Sequence, residues 1–286
     1  KYRKHYSYFG YKPAAIMQIS HGCDKMCRFC LRWRIEGHVA VEFSEELIEA
    51  DLLSIKESTV MLFDNDIFGA SGRVDRFIGI LDRNSIEKNF IAYASVDSIL
   101  GSIETLKRFK NHGLKALIVG YESFSEEDMC YYTKKASIED NIRASILMKE
   151  LDIDVWASFM AHPDWTKDDF RKLRMYIKKL SPQVTSLSPL TPFPNLPLYK
   201  EYEKRLLYKL DDYEKWSFAQ VIIRPGKMPL KSYYLELLAT NLYINLFINK
   251  PTEMLKRYGL PSMFRLLKGS ISTVIKYLRL SKNRAK

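Results

Sequence analysis

Apolar and polar positions alternate along this chain in two rhythms, and the change from one to the other falls near residue 200. In the first part, short apolar runs alternate with longer stretches whose apolar residues recur three and four apart. Ala14-Ala15-Ile16-Met17-Gln18-Ile19-Ser20 reads as one short buried strand and Thr59-Val60-Met61-Leu62-Phe63 as a second. Further strands are predicted over residues 90–94, 115–120, 153–160 and 183–187. Between them, Ser44-Glu45-Glu46-Leu47 opens a helix with a capping serine and acids in its first turn. Helices follow over 74–82, 102–111, 125–151 (as one or two) and 166–180. Six strands separated by helices imply parallel crossovers, so the expected class is α/β, a β/α barrel, complete or partial. Ligands should gather at the carboxyl ends of its strands.

Beyond residue 200 the alternation stops and a mostly helical C-terminal extension is expected. Residues 199–213 and 230–248 read as helices, the second with Leu235, Leu238, Leu242 and Leu246 as an apolar stripe. Residues 218–223 form a strand-like run, and a last helix over 262–280 sets Phe264, Leu267, Ile271, Ile275 and Leu278 on one side. The organisation expected is a lead-in at 1–13, a core barrel at 14–200 and an extension with a basic tail at 201–286.

At 286 residues the chain can bury one large core, or one core and a small appendage. No apolar run approaches the roughly 20 residues that a membrane-spanning helix needs. The start, Lys1-Tyr2-Arg3-Lys4-His5, has neither an apolar signal core nor an initiator Met, as expected of a piece of a longer protein. The formal net charge is +11, but residues 250–286 hold ten Lys or Arg against one acid, Glu253. The rest is close to neutral, which argues against a nucleic-acid groove through the barrel. The basic final helix suits peripheral contact with an anionic membrane; alternatively its apolar side docks on the barrel and its charges are simply solvated. Four cysteines in a chain of this size fit a reducing, cytoplasmic setting.

Three of those cysteines, Cys23, Cys27 and Cys30, fall within eight positions with the spacing C-x3-C-x2-C, just after Gly22. Three thiolates on one loop can hold three irons of a [4Fe–4S] cube and leave the fourth iron open. A zinc site completed by His21 or His38 is the competing reading, and would normally want four ligands. Cys130, about a hundred residues on, reads as an ordinary half-buried thiol.

With aromatic Phe29 before the last cysteine, the stretch resembles the signature of the radical S-adenosylmethionine superfamily. The resemblance covers residues 14–200 and implies a partial (β/α)6 barrel, a [4Fe–4S] cluster on Cys23, Cys27 and Cys30, and S-adenosylmethionine cleaved to a 5′-deoxyadenosyl radical. It implies Phe29 beside the adenine, and Asp64 and Asn65, in the stretch Asp64-Asn65-Asp66-Ile67-Phe68, at the methionine end. Ser95, Asp97, Glu122 and Ser123 would hold the ribose or orient the cofactor, the last two in Gly120-Tyr121-Glu122-Ser123. Two pieces depart from the family pattern: Ala161-His162 where a glycine and an apolar residue are usual, and Asn195-Leu196-Pro197 in place of a Gly-Thr. Lys227-Met228-Pro229-Leu230 is similar to the post-barrel segment of the cobalamin-associated branch that includes hopanoid methylases. That branch implies methylation of a small-molecule or lipid-like substrate, a reductant such as flavodoxin or ferredoxin, and cobalamin in a domain outside this chain. An RNA-modifying or methylthiolating radical enzyme, and a non-enzymatic iron–sulfur or membrane-surface scaffold, stand as alternatives.

Overall fold

The computed structural model describes residues 6–8, 10–249 and 251–282. The first five residues and Phe9 of the expected lead-in, and Lys250 and residues 283–286 of the expected basic tail, lie outside the described residues. In chain order the first elements are β1 (Ala14–Met17), β2 (Ser20–His21), α1 (Arg32–Glu36), β3 (Val41–Glu42), α2 (Glu45–Ser54), β4 (Thr59–Leu62), α3 (Arg73–Arg83), β5 (Asn89–Ala94), α4 (Val96–Leu100) and α5 (Ile103–Asn111). There follow β6 (Leu114–Glu122), α6 (Glu126–Tyr131), α7 (Ile138–Glu150), β7 (Asp154–Ala161), α8 (Lys167–Leu180), β8 (Val184–Pro189), α9 (Pro197–Tyr202), α10 (Leu230–Tyr243) and α11 (Pro251–Lys282).

Six strands form one sheet in the order β1-β4-β5-β6-β7-β8, so each strand lies beside the next one of the sheet in the chain. The pairs β1/β4, β4/β5 and β5/β6 are parallel, with Ala14 opposite Thr59 and Thr59 opposite Asn89. Helical crossovers between parallel neighbours make this the expected partial barrel of an α/β fold. β2 and β3 pair separately as a short antiparallel ribbon, Ser20 opposite Glu42. The single strand predicted over 14–20 is thus broken at Gln18-Ile19. The cause is Asp64, whose carboxylate takes the backbone N–H of both Ile19 and Ser20.

The chain falls into two units. One comprises the segments up to Met26, Arg32–Tyr121 and Ala136–Ala157. It is built on β4, buried at every position, and on the interlocked rings of Phe77, Phe90 and Phe109, with centroids 5.3–5.9 Å apart. α2 starts where expected, with Ser44 Oγ accepting from Leu47 N, and α7 starts on a reciprocal capping box of Ser137 and Asp140.

The other unit comprises Cys27–Leu31, Glu122–Lys135 and the chain from Ser158 onward. α8 begins on a second capping box, Thr166 with Asp169. α10 buries Tyr233, Tyr234, Leu237 and Leu238, and the Tyr233 hydroxyl donates to the Ala161 carbonyl at 2.9 Å. The helical period expected here is present, but Leu235, Leu242 and Leu246 of the predicted stripe are exposed and Leu238 alone is buried. The tyrosines, which bury a large ring while their hydroxyls find partners, take the inner face instead. The helix expected over 199–213 ends at Tyr202 and gives way to 3-10 turns at Glu203–Arg205 and Tyr213–Lys215. Asp212 competes there by accepting from Lys209 N, a local bond that favours turn over helix. The strand-like run at 218–223 forms no named strand among the described residues and makes an isolated antiparallel bridge, Leu206 to Ile223. Among the described residues no helix is long and apolar enough to cross a membrane.

Candidate functional site

The three-cysteine stretch begins where the backbone can turn. Gly22 has φ +81°, and a Cβ on it would sit 2.1 Å from the Val39 carbonyl oxygen, so only glycine fits. Cys23 N donates to the Gly37 carbonyl at 3.1 Å. Further along, Cys30 N donates to the Cys27 carbonyl, closing a tight turn between those two positions. None of the four cysteines is in a disulfide; Cys27 is buried, Cys23 and Cys30 half-buried, and Cys130 exposed rather than half-buried as expected.

Within the first unit, the residues after β4 hold the start of this stretch in place. Asp64 is fully buried and accepts from Ile19 N, Ser20 N and Ser20 Oγ, the last two at 2.6 Å. Burial pushes its carboxyl above the usual carboxylate range, an effect those three donors only partly offset. Asn65 donates to the Gly22 carbonyl at 2.9 Å and to Glu36 at 2.8 Å, while its own oxygen accepts from Arg32 Nε at 2.6 Å. Asp64 thus holds Ile19 and Ser20 just ahead of the glycine that introduces Cys23, and Asn65 holds the glycine itself.

A second polar group in the same unit centres on Lys25, between the first two cysteines. Its ammonium meets Asp66 at 2.7 Å, Asp97 at 2.8 Å and the Ser95 hydroxyl. Ser95 Oγ in turn donates to Asp66 at 2.7 Å, and Ser98 Oγ to the other Asp66 oxygen at 2.6 Å. Burial alone would lower the Lys25 pKa, but Asp66 and Asp97 outweigh it and hold it above the ordinary value. For Asp97 burial acts upward, and the Lys25 bond carries the net shift downward. Ser95 and Asp97, expected at the end of the third strand, therefore do come together there. Lys25 and Ser98 were not singled out from the sequence, and Asp66 only as part of the Asp64–Phe68 stretch. Lys25 lay in view inside the cysteine spacing, but nothing local says which carboxylates an ammonium will reach.

In the second unit, Glu122 and Ser123 occupy the end of β6. Glu122 is buried and has φ +64°, a left-handed conformation that costs a non-glycine residue roughly 1 kcal/mol or more. Burial pushes its carboxyl up, and Lys134 Nζ stands 3.5 Å away, at the edge of hydrogen-bonding range. Ser123 Oγ donates to Asp128 at 2.6 Å, and the same carboxylate oxygen accepts from Trp165 Nε1 at 2.9 Å. Ser123 is thereby engaged in fixing the turn into α6, and Asp128 is the partner that sequence reasoning missed.

Phe29 packs edge-to-face on Tyr132, centroids 5.4 Å apart, beside a buried group that includes Met160, Leu190 and Tyr202. The Tyr132 hydroxyl is buried without a hydrogen-bond partner among the described residues. Arg28 lies over the Tyr131 ring at 4.6 Å and reaches Glu201 at 2.6 Å. His162 accepts from Asp164 N at Nδ1 (3.1 Å), so in its neutral form Nε2 carries the proton toward the Tyr202 oxygen 3.2 Å away. Burial draws its pKa below the ordinary value, against the opposing pull of Asp128 and Asp164. Asp164 binds Arg205 through both oxygens and accepts from Gly226 N at 2.9 Å, so Pro225-Gly226 is a turn held from beneath.

The family model described as the radical SAM superfamily matches residues 17–177, more than half of the chain. Among curated proteins, the hopanoid C-3 methylase of Methylococcus capsulatus is 27% identical over 240 residues, covering 84% of this chain and 46% of the methylase. The anaerobic magnesium-protoporphyrin IX monomethyl ester cyclase of Rubrivivax gelatinosus is 23% identical over 243 residues, covering 84% of this chain and 43% of the cyclase. The chain thus spans less than half the length of these two relatives. Of solved structures, the cobalamin-dependent S-adenosylmethionine radical enzyme OxsB superposes with a TM-score of 0.62 at 16% identity, over 94% of this chain and 46% of OxsB. The radical methyltransferase TsrM from Kitasatospora setae superposes with a TM-score of 0.57 at 15% identity, over 71% of this chain and 40% of TsrM. The fold is the one these enzymes share, and the family match runs through all three closely spaced cysteines: the chain belongs to the radical SAM superfamily.

Proposed function

We propose that this chain is the catalytic core of a radical S-adenosylmethionine enzyme that functionalises an unactivated C–H bond, most simply by methylating a hydrophobic, lipid-like substrate. The observation that carries this reading is the C-x3-C-x2-C stretch. It offers three thiols outside any disulfide, in one short stretch that the chain enters through Gly22. Soft thiolate donors in this number fit a [4Fe–4S] cube with one open iron, and Cys23, Cys27 and Cys30 are the residues that would hold it. When bound, cluster and S-adenosylmethionine together supply, on one-electron reduction, a 5′-deoxyadenosyl radical able to abstract a hydrogen atom.

The chain's own residues position and shield. Asp64 and Asn65 fix the entry of the cysteine stretch, from where they stand toward the methionine end of the cofactor. Ser95 and Asp97, held by Lys25, present hydroxyl and carboxylate groups suited to a ribose. Glu122, buried in a strained backbone conformation, has the character of a group kept in place for a ligand. Ser123 fixes the turn that carries it, and Phe29 offers a ring edge to the adenine.

The similarity to a hopanoid methylase supports an apolar substrate, and the likeness to the methyltransferase TsrM, solved with cobalamin bound, supports methyl transfer by way of cobalamin. Its domain would lie outside this chain. A flavodoxin or ferredoxin would supply the electron in a cytoplasmic, membrane-peripheral setting. The test is anaerobic reconstitution with iron and sulfide, reduction with S-adenosylmethionine, and detection of 5′-deoxyadenosine by mass spectrometry. Product that disappears in Cys27→Ala supports the reading. A cluster that forms without cofactor cleavage, in this chain and in the full-length protein, overturns it.

A further inference from the structure

The second half of α11 carries an open face that the chemistry above does not use. The helix breaks at Gly259 (φ +74°) just before Pro261, and its second half runs on from there. Ser262, Tyr277 and Ser281 are buried, and Ser270 accepts from Asn245 Nδ2 at 3.1 Å, which anchors the helix along one side. Tyr277 packs against Tyr234 of α10 with centroids 5.8 Å apart. Turned away from that side are Phe264, Leu267, Ile271, Ile275 and Leu278, the row expected from the sequence to share one face, and every one is exposed, by 41–68%. At 1.5 Å per residue the row is about 21 Å long. An uninterrupted exposed row of this kind marks a contact surface rather than the scattered apolar residues normal for a protein exterior.

Charge says what kind of contact. Stepping 100° per residue, Lys268 and Arg279 follow directly beside the apolar row, with Arg265 and Lys276 next around the helix. A cavity of about 630 Å³ opens along this flank, lined by Lys215, Lys268, Lys276 and Arg279 together with Ile271 and Ile275. Among the described residues Glu214 is the only acid lining it. Burial and then the neighbouring Lys215 both lower the Lys276 pKa, as expected where cations crowd without enough counter-charge. We infer that the second half of α11 is a peripheral docking surface for an anionic lipid bilayer, its apolar row seated among the acyl chains and its basic flank on the headgroups. A duplex or single-stranded nucleic acid would satisfy the cations but leave the apolar row in water. A neutral partner surface would do the reverse. An anionic bilayer matches both stripes at once. The surface gives the membrane-peripheral setting a named contact and depends on nothing in the radical chemistry.

The test is co-sedimentation of the 286-residue chain with phosphatidylcholine vesicles, with and without phosphatidylglycerol. Binding should require the anionic lipid and weaken as salt is raised. Reversing the flank, as in Lys268→Glu, should cost at least the roughly fivefold expected for losing one cation near a charged surface. Phe264→Ser with Ile271→Ser should abolish binding with the charges untouched; both positions are exposed, so unchanged thermal melting serves as the folding control. Equal binding to neutral vesicles, or no vesicle binding, overturns the inference. So does a serine variant that sediments like the parent, or a parent chain that binds duplex DNA more tightly than it binds anionic vesicles. If light scattering shows instead a dimer that Phe264→Ser dissolves and vesicles do not compete for, the face belongs to a second copy and the bilayer assignment falls. The deoxyadenosine assay is unaffected by any of these outcomes, so the two readings fail separately.

Discussion

Replacing Asp64 by alanine should unfold the entry to the cysteine stretch rather than merely weaken cofactor binding. Its carboxylate accepts from Ile19 N, Ser20 N and Ser20 Oγ, and the residue is fully buried. Alanine leaves two backbone N–H groups without their acceptor in a place water reaches poorly, at about 1–3 kcal/mol each. The serine hydroxyl can rotate to another partner and adds little. The expected loss is therefore about 2–6 kcal/mol, a large part of the ~5–15 kcal/mol that stabilises a typical domain. Asp64→Asn keeps an oxygen where the two 2.6 Å bonds converge and removes a charge whose burial is unfavourable, so it should cost far less, about 1 kcal/mol. Urea unfolding of the cluster-free chain separates the two variants without any cofactor present. If Asp64→Ala unfolds at the parent's urea midpoint and loses only S-adenosylmethionine affinity, the carboxylate faces the ligand and the structural account of it is wrong.

Three other outcomes follow from the same geometry. Gly22→Ala must adopt a positive φ and displace the Val39 carbonyl, so it should lower the melting temperature and cut the iron bound per chain after reconstitution; parent-level iron would count against the turn's role. Glu122→Gln takes the carboxylate away from the buried Lys134 ammonium 3.5 Å from it, so the cofactor-free chain should be less stable than the parent at neutral pH, and calorimetry should show weaker S-adenosylmethionine binding; unchanged affinity would take Glu122 out of the site. For Asp164, burial acts upward but the Arg205 bonds prevail and hold the pKa down, so its stabilisation is present above the unfolded Asp value near 3.9 and is lost as pH falls through the lower folded value. Asp164→Asn should therefore be less stable than the parent at neutral pH and converge with it in acid, which melting temperatures across that range will show; parallel curves would refute the ion-pair account.

What the sequence made legible divides by the range of the interaction. Capping is local, and Ser44 and Thr166 both start helices where they were expected, a short polar residue preceding acids. Strand–helix alternation is nearly as local, and it was enough to give the six-stranded parallel sheet. The cysteine spacing is local too, and it pointed to the family. The misplaced pieces depend on distant partners. Nothing between residues 14 and 20 foretells that Asp64, more than forty positions away, will take two amides and split the strand. The inner face of α10 was misread for a related reason. Leucine spacing alone favoured Leu235, Leu242 and Leu246, whereas the Tyr233 hydroxyl had the Ala161 carbonyl to meet, and that bond turns the tyrosine face inward. The same holds at the candidate site, where Ser95 and Asp97 stood out as polar groups after a strand. Their significance depends on Lys25, about seventy residues earlier, whose ammonium joins them to Asp66. A motif names the residues that chemistry requires, and the long-range bonds decide which of their neighbours keep those residues in place.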